Sequence, residues 1–127
     1  MLIEKVKNVI TIGWSLGGAA VLQCAAKVKS VRGVITIATQ SYGATGPVQK
    51  LTKRRTALLL IHGTDDKVLS DFCSRQLFAL ARDNPNKKLQ LYERDNHLIE
   101  KNADNMIHLI TEWCKEVFNS LPQTAEE

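Results

Sequence analysis

The chain has 127 residues, of which 44% are hydrophobic and 24% charged, and it carries a formal net charge of +4. That size and composition suit one globular domain with a single core, residues 1–127, and exclude a disordered or fibrous chain. No apolar run reaches the ~18 residues of a membrane span, and so mild a basic balance does not by itself argue for nucleic acid.

The first strand is expected over residues 6–13, "VKNVITIG". A helix over 16–29 follows, with the strong helix formers Leu16, Ala19, Ala20, Leu22 and Ala26. The second strand is expected over 31–39, "VRGVITIAT". Residues 40–55 read as a loop with turn residues and room for one short helical turn. Lys53, Arg54 and Arg55 end that loop without aromatic interleaving, so they read as a solvated approach to the next strand. The third strand is expected over 56–63, "TALLLIHG".

Residues 69–83 open with Ser70 and Asp71 as caps and then place Phe72, Cys73, Gln76, Leu77 and Leu80 on one stripe. The fourth strand, 88–94, alternates in polarity and belongs near an edge. A last helix over 102–119 carries Met106, Ile107, Ile110, Trp113, Cys114, Val117 and Phe118 on one face. The core is expected over 6–118, and the polar tail 119–127 frays.

The first three strands are almost continuously apolar, as in a parallel sheet covered on both faces. Strands alternating with helices predict an α/β fold: three layers, a short parallel sheet of about four strands, helices on both faces. Ligands of such sheets bind beyond the carboxyl ends of the strands. Three loops lie there.

The first holds Gly13-Trp14-Ser15-Leu16-Gly17, a G-x-S-x-G pattern between a strand and a helix. A serine on so sharp a turn has strained backbone angles, and only very small residues fit two places away, which accounts for Gly13 and Gly17. Gly18 lets the helix approach a neighbouring strand. The turn lifts the Ser15 hydroxyl above the sheet and aims the Leu16 N–H at the same spot. A dinucleotide loop would need glycine at Ser15 and an acid after the second strand, and "IATQSYG" has none. The second loop, "HGTDDKVLS", offers Asp65 and Asp66, which either orient a histidine or cap the following helix. The third, "ERDNHLIE", offers His97. His62 reads as structural, and His108 as helix surface or core margin. Serine, acid and histidine follow one another in the chain, an order that separates this triad from two other familiar ones.

With these motifs the chain resembles the C-terminal half of an α/β-hydrolase, of the dienelactone hydrolase-like and small serine esterase type. "GWSLGG" is similar to the nucleophile elbow, "LLLIHGTDDKVL" to the strand and loop bearing the acid, and "LQLYERDNHLI" to those bearing the histidine. The resemblance covers residues 6 to 118 and implies a triad of Ser15, Asp66 and His97, the family acid being the second aspartate. It implies an ester or thioester substrate and an oxyanion contact from the Leu16 N–H. Trp14 and Tyr42 are candidates for the substrate pocket, although Trp14 could equally cover the sheet end. It calls for no cofactor and no metal.

The family pattern has about four more strands and a helix before the elbow. Its second oxyanion donor comes from there, so a truncated, weakly active or non-catalytic scaffold is the alternative reading. Strand 6–13 would become an apolar edge, and a homodimer through that edge is expected. The first residues, with early lysines and an apolar run, resemble a secretory leader. Glu4 and the interrupting glycines argue against one. Cys24, Cys73 and Cys114 are scattered, odd in number and without a C-x-x-C pair. They fit reduced thiols packed on helices of a cytoplasmic protein, with neither nucleic acid nor membrane as partner.

Overall fold

A computed structural model describes residues 7–122. The chain runs β1 (Val9–Trp14), α1 (Leu16–Lys27), β2 (Val31–Ile37), α2 (Thr45–Lys53), β3 (Ala57–Gly63), α3 (Phe72–Leu80), β4 (Lys87–Tyr92) and α4 (Ala103–Ser120). The four strands pair in parallel in the order β1-β2-β3-β4.

Alternation along the strands splits the apolar residues between two faces. Val34, Leu58 and Leu60 pack against Leu22 and Ala25 of α1, Val48 and Leu51 of α2 and Leu77 of α3. On the other face Ile35, Ile37, Leu59 and Ile61 pack against Met106, Trp113 and Val117 of α4. Three helices thus cover one face and a single helix the other, and β2 and β3 are buried on both. The three-layer α/β arrangement is the expected one, and no helix among the described residues is long and apolar enough to cross a membrane.

Several local expectations need correction. The first strand starts at Val9, not residue 6, and Val6 lies outside the described residues. It is not buried on both faces: Ile12 is 50% exposed, because β1 is an edge strand that α4 only partly shields. The expected loop 40–55 contains a nine-residue helix, α2. Val48 and Leu51, three places apart, are both fully buried and hold it down. Pro47 falls in the first turn, where no intrahelical N–H bond is lost.

The stripe expected on α3 is rotated. Phe72 is exposed, and Ser74 turns inward with Leu77, drawn by a hydrogen bond to a buried ring, His62. Asp71 stands at the N-cap but makes no capping bond, its carboxylate accepting from Arg75 at 2.8 Å instead, and the Ser70 hydroxyl one residue earlier accepts from the Phe72 N–H at 3.1 Å. Arg54 is not simply solvated: its guanidinium donates to the carbonyls of Ala25 and Ala26 at the end of α1, the negative pole of that helix. Cys24 is exposed rather than packed, while Cys73 and Cys114 are half-buried, and all three are free thiols.

Candidate active site

The turn from β1 to α1 is as tight as its composition requires. Ser15 has φ 56° and ψ −121°, a conformation costly for a side chain bearing Cβ. It is pinned there from two sides. Its N–H donates to the Ile37 carbonyl at 2.8 Å, and its own carbonyl accepts from the Gly18 N–H at 2.9 Å. A Cβ on Gly13 would overlap the Gly17 carbonyl and stand 2.8 Å from the Gly18 nitrogen, so position 13 admits only glycine. Gly18 is closed off by Thr39 and Thr36, the close helix–strand approach expected of it. Gly17 is different: a Cβ there meets nothing within 4 Å, so the crowding expected at that glycine is absent.

His97 Nε2 stands 3.2 Å from Ser15 Oγ, and His97 Nδ1 stands 2.7 Å from Asp66 Oδ2. A carboxylate only accepts, so Nδ1 carries the proton and the Nε2 lone pair faces the serine hydroxyl. Asp66 has no exposed side-chain surface, and His97 keeps 17% of its own. Burial by itself would raise the Asp66 carboxyl. The Leu69 N–H, the His97 ring and the Val68 N–H together outweigh that and hold it below the usual carboxylate range. The other aspartate of the loop points away: Asp65 is 54% exposed and pairs with Lys67 at 2.9 Å.

Two further side chains fix the histidine loop. The Trp14 indole N–H donates to the His97 carbonyl at 3.0 Å. Asp95 is fully buried, and its carboxylate accepts from the N–H groups of Asn96 at 2.8 Å and Lys101 at 3.1 Å and from the Asn102 amide at 2.9 Å. Gly63 permits the close approach of the two loops, since a Cβ there would lie 2.5 Å from the Asp95 carbonyl oxygen.

Leu16 opens α1, so its N–H has no intrahelical acceptor and sits at the positive pole beside Ser15. Tyr42 is 86% exposed and is tied to its loop through its backbone, the Gln40 amide donating to its carbonyl. Trp14 lines an apolar groove of about 400 Å³ with Ile12, Met106, Ile107 and Ile110. His108 is exposed on α4. Among the described residues no cluster of three His, Cys, Asp or Glu side chains could hold a metal ion.

The sequence marks His62 as structural without its contact to the acid. His62 ends β3 fully buried, and its Nε2 lies 3.3 Å from the same Asp66 oxygen that meets His97. Its place three residues before "DD" was the available signal.

No protein-family model matches the chain, and no curated protein matches it. Solved structures do. It is similar to a CIB-like hydrolase from Thermoplasma acidophilum, with a TM-score of 0.72, 22% identity, and 87% of this chain covered against 52% of that one. A Pyrococcus furiosus esterase gives a TM-score of 0.74 at 17% identity, with coverages of 87% and 54%. A Paleococcus ferrophilus monoacylglycerol lipase gives a TM-score of 0.74 at 14% identity, with coverages of 84% and 68%. The chain has the α/β-hydrolase fold, and it spans about half the length of the first two structures.

Proposed function

We propose that the protein is a serine hydrolase acting on a small carboxylic ester or thioester through an acyl-serine intermediate. The observation that supports this most directly is the continuous contact from Ser15 Oγ through His97 to Asp66, at 3.2 and 2.7 Å. In this reading Ser15 Oγ attacks the substrate carbonyl while its proton passes to His97 Nε2. Asp66 stabilises the resulting imidazolium and keeps its own charge. The tetrahedral intermediate then expels the alcohol or thiol, which leaves with the proton from His97. A water, deprotonated by the same nitrogen, attacks the acyl-serine and releases the acid, and the proton returns to Ser15.

The Leu16 N–H is the donor on hand for the oxyanion. An oxyanion hole short of one donor typically loses about 10²–10³ in rate. That the Leu16 N–H is the one such donor beside Ser15 among the described residues favours the second reading, a non-catalytic or nearly inactive scaffold with the same triad. A fluorophosphonate probe separates the two. Ser15 Oγ displaces fluoride from phosphorus, and labelling is expected in the wild type and lost in Ser15→Ala. Folded protein that takes no label rejects the hydrolase in favour of the scaffold.

A further inference from the structure

The contacts around Asp66 exceed what a triad needs. Oδ1 accepts from the N–H groups of Val68 and Leu69, both at 2.8 Å. Oδ2 faces two imidazoles, His97 Nδ1 at 2.7 Å and His62 Nε2 at 3.3 Å. His62 Nε2 also lies 2.9 Å from the Leu69 carbonyl oxygen. Both of its neighbours are pure acceptors. A bare lone pair there would face two negative oxygens, so Nε2 carries a proton in the neutral ring and in the imidazolium alike. That proton is directed at the Leu69 carbonyl, and Asp66 Oδ2 stands beside the N–H at ion-pair distance. At the far side of the ring, Nδ1 lies 2.7 Å from Ser74 Oγ, and in the neutral ring the serine hydroxyl donates to it. Ser74 is itself fully buried on α3. The ring is therefore clamped at both nitrogens, by Leu69 and Ser74, and Asp66 accepts three hydrogen bonds with the His62 ring packed against its Oδ2.

We propose that His62 is a positioning residue of the triad: its Nε2–H holds the Leu69 carbonyl, and with it the turn whose N–H groups hold Asp66, the ring stands against Asp66 Oδ2 and keeps it in line for His97, and Ser74 holds the His62 ring. The role rests on the hydrolase reading of Ser15, His97 and Asp66. It accounts for an otherwise costly arrangement, a polar ring and a hydroxyl buried together beside the acid. It also accounts for the rotation of α3 that buries Ser74 and exposes Phe72. A carboxylate free to turn would leave His97 in the wrong tautomer for part of the time, and a triad so disturbed loses rate without losing its substrate site.

Three variants of the full chain test this: His62→Leu, which removes the Nε2–H donor and the Nδ1 acceptor, His62→Gln, which keeps an N–H near the Nε2 position, and Ser74→Ala, which releases the Nδ1 side of the ring. Two readouts are compared. One is the downfield proton resonance of His97 Nδ1–H, identified by its loss in His97→Gln, which needs no turnover. The other is the rate at which the fluorophosphonate labels Ser15. His62→Leu should move or broaden the resonance and slow labelling by about tenfold to a hundredfold, the range found for outer partners of functional histidines. His62→Gln should restore both, and Ser74→Ala should show a smaller loss in the same direction. An unmoved resonance and unchanged labelling in His62→Leu overturn the proposal, as does His62→Gln behaving like His62→Leu. Absence of the resonance from the wild type overturns it as well. If His62→Leu does not fold, an unmoved resonance in Ser74→Ala is the overturning result. A wild type that takes no label rejects the hydrolase reading alone, because the resonance still decides whether His62 orders the pair.

Discussion

Asp95 shows how a buried charge can organise a site without touching it. Burial pushes its carboxyl up, but the Asn102 amide and the N–H groups of Lys101, Asn96 and Asn102 together draw it below the usual range. A depressed folded pKa adds stability above the unfolded value, and that stability is lost as pH falls through the folded value. Asp95→Asn should therefore destabilise the protein at pH 7 by about 1.5–3 kcal/mol, the worth of hydrogen bonds to a charged group. The gap to the wild type should begin to close as pH falls past the ordinary carboxylate value of about 4 and go on closing until the native carboxylate, which is held lower, is neutralised too. Urea unfolding at pH 7 and at successively lower pH checks this, and a gap that stays constant rejects it. Nothing in "ERDNHLIE" distinguishes this aspartate from a solvated one. Ser15, Asp66 and His97 were legible because each stands at the carboxyl end of a strand, a position that sequence periodicity locates. The contacts of His62 and Asp95 were not, because they depend on which loop folds over which, and short polar segments leave that open.

At the scale of elements, the β1–α1 turn separates two glycines that look alike in sequence. Gly13 lies against the Gly17 carbonyl, whereas Gly17 faces open space. Gly13→Ala must push α1 off the end of β1, and overpacking of that kind costs typically 1–3 kcal/mol. It should also displace Ser15 and abolish fluorophosphonate labelling. Gly17→Ala adds a better helix former without a clash, so stability should hold or rise by up to about 1 kcal/mol. Thermal melts of the two variants check the contrast, and equal destabilisation would refute it. The G-x-S-x-G pattern was legible as a turn, but it assigns one steric reason to both glycines. The same gap between pattern and packing hid α2. Gly46 and Pro47 signal a loop, and Val48 and Leu51 override that signal only because β2, β3 and the neighbouring helices offer them a core. Burial of two residues decided what local propensity could not.

For the whole molecule, the consequence of the strand order is that β1 has β2 on one side and no strand on the other among the described residues. Its outer flank is apolar. Ile12 is 50% exposed, Trp14 39% and Ile107 on α4 59%. The groove beside them is lined by Ile12, Gly13 and Trp14 of β1 and by Met106, Ile107 and Ile110 of α4. An apolar edge strand is a template for another strand, and the same edge of a second copy supplies one of matching shape. We therefore propose a homodimer joined through β1, the two-fold pairing setting Ile12 and Trp14 of each copy against the groove of the other. Ile12→Lys tests it, since position 12 lies on the interface and outside the triad contacts. Burying an isoleucine fully is worth about 1.5–3 kcal/mol, and Ile12 is half-buried already, so each copy forgoes roughly half of that. Two copies together should weaken association by about tenfold or more. Sedimentation at several concentrations should show a reversible dimer in the wild type and a larger dissociation constant in Ile12→Lys. A wild type that stays monomeric at every concentration overturns the dimer. In that case the edge and groove would answer to a different chain, and the Ser15 turn would keep its geometry without help from a second copy, because Ile37, Gly18 and His97 already hold it from within.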